Sequence, residues 1–80
     1  MNNSPFLKAT AHPENSQSPG VSSTEIYLAV DGILALRPLG SNNFDVILKP
    51  DYLDLISSWA FDKSAKLKSI TATIRNEMLP

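Results

Sequence analysis

Residues 26–39 read IYLAVDGILALRPL, and the fold turns on what Asp31-Gly32 does at their centre. Both residues tolerate positive φ, so the pair suits a type I′ turn between two strands, TEIYLAV (24–30) and ILALRPL (33–39). A two-residue loop sets Val30 against Ile33, Leu28 against Ala35 and Ile26 against Arg37. The reverse face then carries Glu25, Tyr27 and Ala29 against Pro38, Leu36 and Leu34. Pro38 donates no ladder hydrogen bond and suits the frayed end of a strand. After the loop GSNN (40–43), FDVILK (44–49) alternates Phe44, Val46 and Leu48 with Asp45, Ile47 and Lys49. A three-stranded antiparallel meander over about residues 24–49 follows. The competing reading is a helix over 24–37, because Ser22 and Glu25 fit a capping box and Ile26, Val30, Ile33 and Arg37 stand at helical spacing. That helix would hold Gly32 inside it, at about 1 kcal/mol, and the Asp-Gly signal favours the hairpin.

Pro50 opens a helical region, with Asp51 and Asp54 in the first turn, where carboxylates favour the dipole. From Asp51 to Leu79 there is no glycine or proline. Leu53, Ile56, Ala60, Leu67, Ile70, Ile74 and Met78 recur at steps of three, four and seven. The pattern predicts one long helix, or two broken around DKSAK (62–66), over about 51–79. A thirty-residue helix would span about 45 Å, which favours the break in a monomer and the continuous form in a coiled or swapped dimer.

The first 23 residues hold three of the six prolines (Pro5, Pro13, Pro19) and five serines, a composition that predicts a disordered tail. The expected organisation is therefore a tail, 1–23, and one small α+β domain, 24–80, whose meander is packed by one or two C-terminal helices. So small a domain buries roughly 60% of its unfolded surface and is marginal alone. There is no cysteine, and one histidine does not build a zinc site, so neither disulfide, metal nor other cofactor is expected. Association is the remaining means of stabilisation. Seven basic against eight acidic residues give a net charge of −1, unlike the strongly basic footprint of most nucleic-acid binders. No run approaches the ~18 apolar residues of a membrane span, nothing resembles a signal peptide, and a cytoplasmic location without membrane contact is expected.

Catalytic chemistry finds little footing. His12 lies in the expected tail, where nothing would hold a general base in place. No serine occupies a Gly-x-Ser-x-Gly elbow, and Asp31, Asp45, Asp51, Asp54 and Asp62 each have a structural explanation in a turn, a strand exterior or a helix start. Three scattered glycines cradle no phosphate. Lys63, Lys66, Lys68 and Arg75 gather in one stretch that could touch phosphates or an acidic partner, or could simply be a solvated face. YLDLISSWAF (52–61) makes an apolar stripe wider than one sheet face requires, and Tyr52 and Trp59 are the kind of aromatics that anchor interfaces.

FDVILKPDYLDLISSWAFDKSAKLKSITATIRNEML (44–79) resembles the ribbon-helix-helix layout: an alternating strand, a proline opening a first helix, a basic bend and a second helix. The resemblance covers 36 residues and implies a dimeric DNA-binding transcriptional regulator. The bend lacks the usual glycine, and Asp45, Ile47 and Lys49 offer few groups that read bases.

The hairpin sets the final expectation. Ile26, Leu28, Val30, Ile33 and Ala35 would lie under the 51–61 helix. Tyr27, Ala29, Leu34 and Leu36 would stay uncovered on the reverse, to be hidden by another chain. With Tyr52 and Trp59 they form the expected interface of a small non-enzymatic interaction module, a regulator, adaptor, inhibitor or small subunit. Its partner would be a second copy or a larger protein.

Overall fold

A computed structural model describes residues 5–14, 20–62 and 64–75. The chain forms five strands and one short α-helix: β1 (Phe6–Pro13), β2 (Thr24–Ala29), β3 (Ile33–Gly40), β4 (Asn43–Leu48), α1 (Pro50–Trp59) and β5 (Leu67–Thr73). One turn of 3-10 helix, Val30–Gly32, joins β2 to β3. The strands make a single sheet in the order β2-β1-β5-β4-β3, with every neighbouring pair antiparallel.

This overturns the three-stranded meander packed by C-terminal helices. β2 and β3 both exist, close to the expected bounds, but they do not pair with each other. A type I′ turn needs positive φ at both central residues, and neither Asp31 nor Gly32 has it. The tight reversal sits one strand later, where Gly40, Ser41 and Asn42 have φ of 98°, 54° and 66° and β4 folds back on β3 with Gly40 opposite Asn43. The helix α1 opens at Pro50 as expected but is mid-chain and ends at Trp59. The expected second helix is β5, and Phe6–Pro13, assigned to the tail, is a central strand. Of the rest of the expected tail, 1–4 and 15–19 lie outside the described residues, as do 76–80 at the expected helix end. The second helix of the ribbon-helix-helix layout is thereby replaced by a strand, and that resemblance does not hold.

The pairing pattern fixes the shape. Tracing the antiparallel pairs across the sheet makes β2 and β3 run in the same direction, although they form opposite edges. In a flat sheet four spacings of about 4.8 Å would separate them by about 19 Å. The 3-10 turn advances only about 2 Å per residue, roughly 8 Å from Ala29 to Ile33. The sheet must therefore curl enough to bring the end of β2 beside the start of β3, and β2 and β3 are two halves of one strand bent at Val30–Gly32. Its first half pairs with β1 and its second with β4.

The inner face of this curl is the core: Ala9 and Ala11 of β1, Ile26 and Leu28 of β2, Val46 and Leu48 of β4, Ile70 and Ala72 of β5, then Ile74, with Ile56 of α1 and Phe61 after it. Small residues face large ones across the ladder, Ala9 opposite Ile26, Ala11 opposite Ile70 and Ala72 opposite Phe44. Alanines on the two middle strands keep the interior narrow enough for so few strands to close around it. Val30, expected under the helix, is instead exposed at the bend, and Ala35 is exposed on β3.

Helix α1 locks the bend. The Ala29 N–H donates to the Tyr52 hydroxyl at 2.8 Å. The Tyr52 ring lies so close over Gly32 that a Cβ there would collide with its Cδ2. The Gly32 carbonyl accepts from the Lys49 N–H at 2.9 Å. Gly32 is thus required for space, with no positive φ involved.

Gly32→Ala is expected to displace Tyr52 and to destabilise the fold by about 1–3 kcal/mol, the usual range for overpacking. Gly20→Ala, with open space around its Cα, is expected to stay within about 0.5 kcal/mol. Denaturant titration of the two variants checks the contrast, and equal stabilities would contradict the lock. Hydrogen exchange checks the second expectation: backbone amides of β1 should be protected as strongly as those of β4. Exchange across Phe6–Pro13 at the rate of an unstructured peptide would remove β1 from the sheet.

Candidate functional site

The outer face of the sheet is polar. Registers place Glu25, Thr10, Thr71, Asp45 and Arg37 in one row across all five strands. Charges in this region are matched: Lys8 Nζ lies 3.3 Å from Glu25 Oε2, and Arg37 Nη2 donates to Asp45 Oδ2 at 2.9 Å. Thr73 donates to Asn43 Oδ1 at 2.7 Å. Both charged pairs are thus formed within this face.

His12 stands on this same face, at the far end of β1, and not in a loose tail. Its Nδ1 is 3.0 Å from Ser23 Oγ and its Nε2 is 2.8 Å from Thr71 Oγ1. One ring nitrogen donates and the other accepts, and a hydroxyl can play either part. Pro13, Lys68 and Ser69 complete a shallow hollow around the three. The Ser23 distance suits a nucleophile and its base. The other nitrogen, however, meets a hydroxyl where a triad places a carboxylate to stabilise the imidazolium. The bonds tie the start of β2 to β1 and β5. Sequence reasoning missed this cluster because it rests on β1 and β5 being neighbours.

Among the described residues of the basic stretch, Arg75 stands apart from Lys66 and Lys68. Lys66 and Lys68 lie near the start of β5, and Arg75 follows its end beside Lys8, Thr10 and Glu25. An extended chain separates Lys68 from Arg75 by about 23 Å, whereas a helix would have stacked them two turns apart. Lys63 lies outside the described residues. Among the described residues no group of three or more His, Asp or Glu side chains could hold a metal ion, and no helix is long and apolar enough to cross a membrane.

The apolar surface is more distinctive. Tyr27 of β2 and Tyr52, Leu55, Ile56 and Trp59 of α1 line one hollow of about 330 Å³. Ile56 is its buried floor and joins the core. Leu55 and Trp59, one helical turn apart, are 59% and 58% exposed, and Tyr27 is 59% exposed. Such exposure of three large side chains around one hollow is unusual for a lone domain, where exposed apolar residues are scattered. Rigid elements hold them. Tyr52 is fixed by Ala29 and Gly32, Tyr27 stands opposite Lys8 in the ladder, and the Ser58 hydroxyl is turned back onto the Leu55 carbonyl at 3.0 Å.

The structure therefore brings together Tyr27, Tyr52 and Trp59 of the expected interface, with Ala29 joined to them through its N–H. It adds Leu55, whose helical position one turn before Trp59 was visible in the sequence. Leu34 and Leu36 are elsewhere, on edge strand β3. Leu34 is the extra residue where the β3–β4 register slips and is 63% exposed. Leu36 lies opposite Val46 and lines a second apolar hollow with Phe6, Leu7, Val30, Ile33 and Ile74. Compared with protein-family models, curated proteins and solved structures, the chain finds no match.

Proposed function

We propose that the protein is a small, non-enzymatic interaction module that binds another protein through the Tyr27–Leu55–Trp59 surface. The observation that carries the reading is three large apolar side chains, more than half exposed, around one hollow whose floor and walls are fixed by the core. Aromatic anchors beside a rigid pocket are the usual carriers of binding energy, and their presentation on α1 and β2 costs little ordering on association. Tyr52 supports the surface from below and Leu55 and Trp59 make the contact.

Two neighbouring residues separate binding from folding. Leu55→Arg places a charge on an exposed position and should leave the far-UV circular dichroism and the denaturation midpoint close to those of the parent. Ile56→Arg buries a charge in the core and should unfold the chain, since an unpaired buried charge costs several kcal/mol. Proteins retained from a cell extract on immobilised parent chain should be lost at least about tenfold on the Leu55→Arg chain, as for a hot-spot change. Identical retention by both would reject this surface as the binding site.

A further inference from the structure

We infer that the hollow beside Trp59 receives a basic amphipathic segment of another protein, apolar side chains flanked by lysine or arginine, and not a second copy of this chain. The inference rests on the interaction reading above and adds the chemistry of the partner. Asp51, Leu55 and Trp59 stand at i, i+4 and i+8 on α1, so they follow one line along the helix, with Asp54 beside Leu55. All four are exposed. Neither Asp51 nor Asp54 forms an ion pair among the described residues. The whole segment 50–62 contains three carboxylates and no cation. Lys49 precedes it at the N-cap, in line with Leu53 and not with Leu55. On the β2 side Lys8 stands opposite Tyr27, but its ammonium is engaged by Glu25. The apolar hollow is thus bordered along α1 by negative charge that nothing in the described chain neutralises.

That border decides between occupants. A two-fold dimer through this face is self-complementary, each patch meeting its own copy. Asp51 and Asp54 of one chain would approach those of the other while water is withdrawn, which strengthens their repulsion. A partner with cations beside its apolar anchors meets the same border with attraction. Like-charge contacts of the first kind exclude wrong partners, and the second kind steers the right one. An amphipathic helix laid with its apolar stripe in a groove is one established way to present such a pattern.

Trp59 is the only tryptophan in the chain, so its fluorescence reports this hollow directly. The probes are two tryptophan-free synthetic helical peptides, one of leucine and lysine, the other of leucine and glutamate. The lysine peptide is expected to shift Trp59 emission to shorter wavelength in a saturable titration. High salt, and separately the double change Asp51→Asn with Asp54→Asn, should each weaken that binding roughly tenfold. Leu55→Arg should abolish it, while circular dichroism shows that each variant is folded. The glutamate peptide should give no saturable shift. Equal binding of both peptides, without salt dependence, would overturn the charge selection and leave the apolar interaction surface standing. No shift with either peptide would overturn the inference. So would light scattering that shows a dimer whose dissociation by Leu55→Arg exposes Trp59, since the occupant would then be a second copy.

Discussion

The contact of Tyr52 with Gly32 and Ala29 is the constraint on which the rest of the molecule depends. A strand that bends sharply to serve both edges of one sheet leaves backbone groups at the bend without a ladder partner. A buried or half-buried N–H left unpaired costs about 1–3 kcal/mol. Here the Tyr52 hydroxyl takes the Ala29 N–H, Lys49 donates to the Gly32 carbonyl, and the Val30 N–H reaches the Pro5 carbonyl at 3.1 Å. The ring of Tyr52 then fills the space that any side chain at residue 32 would need. One residue of the helix thus closes the bend. It also sets the rotation of α1. With Tyr52 pinned, Ile56, four residues on, is directed into the core, and Leu55 and Trp59 are left outside.

The same geometry explains the core. A sheet of five strands curled on itself has little interior volume, so its middle strands cannot all carry large side chains inward. β1 contributes Ala9 and Ala11, β5 contributes Ala72, and the larger Ile26, Leu28, Val46, Leu48 and Ile70 fill around them. α1 lies across the remaining opening. Its Tyr52 side reaches β2, and Leu53 and Ser57 border a hollow shared with β4 and β5. A single short helix suffices because the curl has already covered most of the apolar face.

These features were unevenly legible in the sequence. The strand β4, the helix opened by Pro50 and its wide apolar face were readable because they depend on neighbours a few residues apart. β5 was ambiguous: Ile70 and Ile74 satisfy a helical step of four and also, with Ala72 between them, a strand step of two. The β-branched Ile70, Thr71, Thr73 and Ile74 were the better guide, outweighed by the absence of glycine and proline. β1 was hidden because its inward residues are alanines, too small to mark an apolar stripe, and because Pro5, Pro13 and Pro19 suggested a tail. Asp31-Gly32 misled for a different reason. The glycine is selected by the approach of Tyr52, a residue twenty positions away, and local turn chemistry contains no trace of that contact. The Tyr27–Trp59 surface was partly legible as aromatics in excess of what a core needs. The His12 cluster depended on strand order and could not be read.

Strand order also determines how this chain can associate. A sheet with two free edges invites addition of a further strand. One edge, β2, is met by α1, which occupies the outward Ala29 N–H. The other, β3, has Pro38 without a donor, Arg37 engaged with Asp45, and register slips at Leu34 and Leu39 that bend it away from a regular ladder. A regular ladder is thus interrupted at Ala29 on one edge and at Leu34, Pro38 and Leu39 on the other, in spite of the leucines along β3. The surface proposed for binding uses side chains instead, those on the outer face of α1 together with Tyr27. The residue that closes the bend is thus also the one that turns Leu55 and Trp59, the proposed binding surface, outward. In this small fold the device that completes the sheet and the device that presents the proposed interface are the same helix.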